Sequence, residues 1–486
     1  MFDRPSSRRH PSRPALSLTL LALLPTTLAA AGASPPRIIP LVLEGDLVPG
    51  VGTVTLIESV SVNDAGDWCV EVDTNQPNTA ADAVVLINGV LAFREGQPLL
   101  TPPGTTMGSF DSVFIAPNGS IGWNLGIGGG VPTNLNSGVF LNDSIVIRES
   151  DIASAAGFSP NSPFVSFAEA RFDGGSHLFV VGAVDDPAIE STSDRALLRL
   201  DVATDGPGHT ELLIAKEGDV LPGQSEAIVD IGTGPESFAI NGSGEAAYAV
   251  SLTGASLTNG AIYRNNTLIA QKNGPSSIPG RNYASIGTLT RLDLNNAGVV
   301  AFAVTLTGDA GSDLAIVRDG IVFVREGDTP AALPGLTITG FGTAPVRIDN
   351  SNRVHWYAGL SGTSTTNQAL FRGDELVAQK GVTTVNGQTL TTIAGTTSVG
   401  GISRGFWASP NGRHVIFRGV LNGTTEGAFL ATFDDPTGPD LNGDGRIDGA
   451  DLAILLGAWG TAGGDLTGDG TTSGADLAIL LGAWQP

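Results

Sequence analysis

A turn of the type Asn-Asp-Ala-Gly recurs along this chain about every 54 residues, and no other feature limits the possible folds as strongly. It stands at Asn63–Gly66, Pro117–Gly119, Phe172–Gly174, Asn241–Gly244, Asn295–Gly298, Asp349–Asn352 and Ser409–Gly412. A small, apolar, strand-like run follows each turn, as in Val299–Leu306 (VVAFAVTL) and His414–Val420 (HVIFRGV). The next strand ends in a polar turn: Val84–Gly89, Val139–Asp143, Leu197–Asp201, Ala261–Asn266, Ala315–Gly320 and Ala369–Asp374. A further strand ends in a Glu-Gly corner at Glu44, Glu95, Glu217 and Glu326, with weaker versions at Glu149, Lys272–Gly274 and Lys380–Gly381. A fixed period in this range marks stacked or radial repeats. Seven units of four short strands predict a mainly β chain with a seven-bladed β-propeller over residues 37–433.

The ends of the repeat support a closed ring. The last unit stops at Ala428–Phe433, one strand short, whereas Ile38–Glu44 is a fourth strand without a blade. Pairing the two removes a free sheet edge. An open β-solenoid leaves this split unit unexplained. The turn Ser409-Pro410-Asn411-Gly412 and the strand after it also resemble blades of many bacterial propellers.

Charge narrows the partners. A net charge of −23 opposes nucleic acid and anionic membrane surfaces. A basic residue precedes most corners, at Arg94, Arg148, Lys216, Lys272, Arg325 and Lys380. These could form a cationic ring for an acidic ligand. On an outermost strand, however, they blunt an edge and pair with nearby acids, which is the favoured reading. An insertion between Val184 and Thr210 carries Asp185, Asp186, Glu190, Asp194 and Asp205 and reads as a solvated acidic loop on one propeller face.

Catalytic signatures are not visible. The chain has no HExxH, no GxSxG elbow and no Gly-rich phosphate loop between strand and helix. His177, His355 and His414 share one place after the repeat turn, which suggests packing, and His209 falls in a Gly-Pro loop. Cys69, the one cysteine, follows Trp68 in a strand and reads as a small buried hydrophobe. Acids from different blades could still meet at a face, and sequence cannot pair them.

Residues 1–33 read as a secretory signal: a basic stretch at Arg4, Arg8, Arg9 and Arg13, an apolar core Ala15–Leu24, and cleavage after Ala31-Gly32-Ala33. The expected location is secreted or at the cell surface, with no membrane span after cleavage.

The tail, residues 440–486, follows a short linker at 434–439 and obeys a different rule. DLNGDGRIDGADLAILLGAW and DLTGDGTTSGADLAILLGAW are two copies of one unit. In the first, Asp440, Asn442, Asp444, Asp448 and Asp451 take positions 1, 3, 5, 9 and 12 of a calcium loop, with the Arg446 carbonyl at position 7 and Gly445 at the sharp turn. In the second the set is Asp465, Thr467, Asp469, the Thr471 carbonyl, Ser473 and Asp476, with one carboxylate fewer, so its Ca2+ site should be weaker. Leu452, Leu455, Leu456 and Trp459, and their counterparts Leu477, Leu480, Leu481 and Trp484, form helical stripes, the first helix ending at Gly460.

This tail resembles a type I dockerin, with its duplicated EF-hand-like loop-helix and Asp at position 12. The resemblance implies a small α-helical domain that folds on calcium and docks on a cohesin-like or cell-surface protein. Positions 10 and 11, Gly449-Ala450 and Gly474-Ala475, depart from the Ser-Thr-like pair of cellulosomal dockerins. Dockerins mostly accompany polysaccharide-degrading enzymes, so a glycoside hydrolase or lyase is the alternative function. The leading expectation is a secreted, non-catalytic propeller with a carbohydrate or protein ligand on one face, anchored by its tail.

Overall fold

The computed structural model describes residues 35–486 except 112, 190–193, 203–207, 235, 394–404, 434–438, 440, 442–446, 462–463, 468–470 and 485–486. The expected signal and most of the expected linker lie outside the described residues.

The repeat folds as its period requires. Seven antiparallel sheets of four to six strands follow one another along the chain, forming a seven-bladed β-propeller. The fifth blade shows the unit: Leu292–Leu294 nearest the axis, then Val300–Thr305, Leu314–Arg318 and Ile321–Arg325. Val300–Thr305 is buried at all but its last residue, because neighbouring blades cover both faces of the sheet. That is why such strands are apolar throughout rather than alternating. Buried apolar side chains fall into seven clusters, each shared by adjacent blades. One joins Ala247, Ala249 and Ile262 of blade 4 to Leu292, Phe302 and Val317 of blade 5. Another joins Ile416 and Leu430 of blade 7 to Val60 and Val70 of blade 1. The core is a ring of inter-blade layers.

Closure follows the split unit. Arg37–Leu43 pairs antiparallel with Thr425–Thr432, Arg37 opposite Thr432 and Leu43 opposite Gly427. The two outer strands of blades 1 to 6 also slip register at equivalent places, from Val85/Leu86 in the first to Leu370/Phe371 in the sixth. Such bulges add twist to an edge strand.

The recurring turns join the blades. Asn241 Nδ2 donates to Asn295 O at 2.9 Å, and Asn295 Nδ2 to Asp349 O at 3.0 Å. Asn63 Nδ2 donates to Ala116 O at 3.3 Å. The Asn411 amide closes the circle on Asp64 Oδ1 at 2.7 Å. Each turn residue also accepts amides of its own turn, as Asn295 Oδ1 does from Ala297 and Val299. Gly66 and Gly244 have φ of 83° and 74°, where a Cβ would be strained, and each abuts a histidine of the preceding blade, His414 and His177.

The basic residues before the corners tie the outer strand back to its own blade. Arg94 Nε donates to Ala81 O, Arg148 Nε to Leu135 O, Lys272 Nζ to Asn259 Oδ1 and Lys380 Nζ to Asn367 Oδ1. These contacts brace the outer strands blade by blade, in place of a cationic ring.

Two expectations change in the third blade. Its last three strands, His177–Val184, Arg195–Val202 and His209–Lys216, are eight residues each, so part of the insertion is strand, and His209 opens a strand. Asp186 and Asp194 are buried, not solvated. Asp186 accepts from Lys216 Nζ at 2.7 Å, and Asp194 Oδ2 accepts from the Asp186 amide at 2.8 Å. Cys69 is buried as expected, and burial pushes its thiol up to about 12.

In the tail, two nine-residue helices, α1 (Gly449–Gly457) and α2 (Gly474–Gly482), are the α-helices among the described residues. The expected distinct helical domain is not seen. Helix α1 ends at Gly457 instead of reaching Gly460, so Trp459 lies beyond it. Leu455 and Leu480 are buried, whereas Leu456, Trp459, Leu481 and Trp484 are exposed. The stripes thus pack over only half their length. No helix among the described residues is long and apolar enough to cross a membrane.

Candidate functional site

Two places concentrate polar groups: the propeller axis and a cleft beside it. On the axis, Arg171, Asp293, Arg347 and Trp407 each stand two residues before their blade's turn residue. Glu236 grips Arg347 with both carboxylate oxygens, at 2.7 Å each. The Arg347 guanidinium lies 4.0 Å from the Trp407 ring centre, and that of Arg171 lies 4.5 Å from Phe114 and 5.5 Å from Phe238. Arg171 also faces Glu169 at 3.7 Å. Burial pushes the Asp293 carboxyl up, opposed by Arg347 and by the amides of Ile348 and Leu294. Burial also pushes the Arg171 guanidinium down, opposed by Glu169. Acids and bases are matched across blades, and aromatic rings cover the cations. A cavity of about 110 Å³ remains at the mouth on the turn side. The axis is filled by a self-complementary plug.

The cleft is larger, about 490 Å³, and lies between blades 4 and 5 with a contribution from blade 6. Its floor is the connection into the fifth blade, Ala284–Arg291, which is tied down on both sides. Thr305 N donates to Ser285 Oγ at 2.9 Å, Gly287 N to Thr290 Oγ1 at 3.0 Å, and Ser237 Oγ to Thr288 O at 2.6 Å. Gly260 permits this approach: a Cβ there would collide with Ile286 O. Lys272 enters from blade 4, held by Asn259, and Arg291 from blade 5, donating to Ala344 O. Burial pushes the Arg291 guanidinium down, with Glu236 opposing. Ser251, Thr288, Ile286 and Phe341 complete the wall, and among the described residues no Asp or Glu lines it. Such a lining can hold a ligand by charge and hydrogen bonds and shelter an apolar face.

Sequence reading missed both places. The axial signal was present as charged residues at a repeat position two before the turn, within otherwise apolar inner strands. The cleft's one signal was Lys272, read as an edge charge; the rest of its lining comes from strands and connections of three blades that no repeat position marks.

Of the expected calcium ligands, Asp440, Asn442, Asp444, Arg446 and Asp469 lie outside the described residues. Asp448 caps α1, accepting from Ala450 N at 2.8 Å, and Ser473 caps α2. Asp451 accepts from Leu441 N at 2.7 Å and Asp448 N at 2.9 Å. Asp476 accepts from Leu466 N and Thr467 N, both at 2.8 Å, and from Ser473 N at 2.6 Å. Burial opposes ionisation of Asp476, but these hydrogen bonds outweigh it and hold its carboxyl below the usual carboxylate range. Thr467 Oγ1 donates to Asp465 Oδ1 at 3.1 Å. Thr471 is exposed beside them. These oxygen donors suit a hard cation. In the present geometry both position-12 carboxylates face amides of their own loops, and among the described residues no three His, Cys, Asp or Glu side chains converge on a metal position.

A model of a family of unknown function (DUF7453) matches residues 39–316 and 208–445 of the chain. No curated protein matches. Among solved structures, an oligogalacturonate lyase in complex with manganese is similar at 11% identity, covering 82% of this chain and 98% of that one, with a TM-score of 0.39. A protein of unknown function from Dyadobacter fermentans DSM 18053 is similar at 8% identity, covering 83% and 100%, with a TM-score of 0.28. Likenesses this distant carry no argument about activity. The family match overturns the resemblance to a dockerin: it runs past residue 440 into the first acidic loop, and two short helices follow in place of a separate module. With the dockerin goes the expected cohesin-like partner. The physical reason lies in the caps. Asp448 with Asp451, and Ser473 with Asp476, form capping boxes, so the spacing read as loop positions 9 and 12 is also that of an ordinary helix start.

Proposed function

The chain belongs to the DUF7453 family, and from that premise we propose that it is an exported, non-catalytic β-propeller that binds a small ligand in the cleft between its fourth and fifth blades. The lining of that cleft carries the reading. Lys272, Arg291 and the hydroxyls of Ser251 and Thr288 offer donors around one cavity, whose size is in the ordinary range for ligand sites. The axial acids are already engaged with arginines and amides, which favours binding over acid–base chemistry on the axis. Export rests on the basic-then-apolar segment within residues 1–33. Calcium at the loops 440–451 and 465–476, weaker in the second, is the cofactor proposed for the tail.

The test is incubation of the purified full chain with a panel of polysaccharides and their oligomers. Retardation of the chain in affinity electrophoresis with no release of reducing ends is the expected result. Release of reducing sugar that scales with protein concentration would make it a glycosidase or lyase instead.

A further inference from the structure

We infer that the cleft between blades 4 and 5 takes a carboxylate-bearing, hydroxyl-rich small molecule of about monosaccharide to disaccharide size. The inference rests on the binding role proposed above and gives the ligand its chemistry.

The first observation is charge. The sequence has 48 acidic and 25 basic residues, yet among the described residues this 490 Å³ cleft is lined by Lys272 and Arg291 and by no carboxylate. Several partly or fully buried bases elsewhere meet acids directly, Lys216 with Asp186 at 2.7 Å, Arg195 with Asp230 at 2.7 Å and Arg353 with Asp349 at 2.8 Å, whereas Arg94, Arg148 and Lys380 bond neutral groups as Lys272 does but do not line this cleft. Among the described residues the cleft pair bond only neutral acceptors, Asn259 Oδ1 and Ala344 O. Glu236, the acid that acts on Arg291, gives both its oxygens to Arg347. An ammonium has three donors and a guanidinium five, so both cations keep donors for a ligand. A guanidinium matches the two oxygens of a carboxylate.

The second observation is the rest of the wall. The hydroxyls of Ser251 and Thr288 make no hydrogen bond among the described residues, and both line the cavity. Ile286, Leu314 and Phe341 form an apolar side. Hydroxyls opposite an apolar wall suit a ring with polar edges and a less polar face. Leu289, at the tip of the 287–290 turn, is 89% exposed at the rim and can cover such a ring.

Isothermal titration of the full chain with D-glucuronate, lactate, D-glucose and inorganic phosphate tests this. Glucuronate should bind at least tenfold more tightly than glucose or phosphate, and less tightly at high salt. Lys272→Gln and Thr288→Val should each weaken glucuronate by about tenfold while leaving the thermal midpoint unchanged. If Arg291→Gln fails to fold, those two variants still decide. Glucose binding as tightly as glucuronate would overturn the acid while the cleft remains a binding site. Tighter binding of phosphate would overturn the carboxylate in favour of another anion. If none of the four binds a folded chain, this inference fails, and the polysaccharide panel decides separately whether the binding role survives.

Discussion

Asp349 shows how much one turn residue carries. Its side chain is fully buried and accepts from Arg353 Nε at 2.8 Å, from the Ser351 and Arg353 amides at 2.9 Å each, and faces His355 Nε2 at 3.2 Å. Burial alone would raise the carboxyl; the bonds from His355 and Arg353 overcome it and bring it down to about 2. Its native value is thus below the value of about 4 in an unfolded chain, so its stabilisation is present above pH 4 and is lost as pH falls from about 4 towards 2. The contribution at pH 7 is on the order of 2 kcal/mol. His355 acts in the same direction. Burial lowers its pKa, so acid protonates the unfolded chain first, below about pH 6.5. Asp349→Asn should be less stable than the parent at pH 7, and denaturant titrations should show the gap narrowing as pH approaches 2. A gap of constant size would remove the carboxylate charge from the explanation.

At the scale of elements, the strands were far more legible than the sites. A strand such as Val300–Thr305 announces itself because blade-on-blade packing demands small apolar residues on both faces. The turns announce themselves because most pair an Asx side chain with a left-handed glycine, although Asn352 takes the left-handed place in the sixth and Ser409 opens the seventh. The register slips between outer strands left no trace, since a bulge needs no particular residue. Arg171 and Arg347 stand as charges in apolar inner strands; Glu169 shares a strand with Arg171, but Glu236 and Trp407 reach Arg347 from other blades, which only the closed ring brings together. In the tail one spacing served two meanings, helix cap and calcium loop. The proposal of calcium there has its own test. Calorimetric titration should give one tighter and one weaker site, and the Asp440→Ala variant should lose the tighter one. Two sites of equal affinity, or none, would end it. Asp476→Ala should also loosen the start of α2 by removing half of its capping box, with or without calcium.

At the scale of the molecule, the ring is held by a joint that sequence order leaves split. Arg37–Leu43 supplies the outer strand of the last blade, and Val42, with the partly buried Ile39 and Leu41, packs into the layer between blades 7 and 1. Nothing covalent closes the circle: Cys69 is the lone thiol. Deleting residues 35–43 should therefore expose the edge of Thr425–Thr432 and strip one inter-blade layer of several apolar side chains, each worth about 1.5–3 kcal/mol when fully buried. The expected outcome is a sharply lower thermal midpoint with concentration-dependent association through the open edge. A permuted chain separates loss of the strand from loss of its position. Since Arg37 lies opposite Thr432, a two-residue Asn-Gly turn between Phe433 and Pro36 can carry the chain back into Arg37–Leu43 as a hairpin in the same register. With the old N-terminal junction opened before Glu44, that protein should recover the parent's midpoint. If it melts as early as the deletion does, the strand matters for how the chain begins to fold, and the closure described here is not what stabilises the ring.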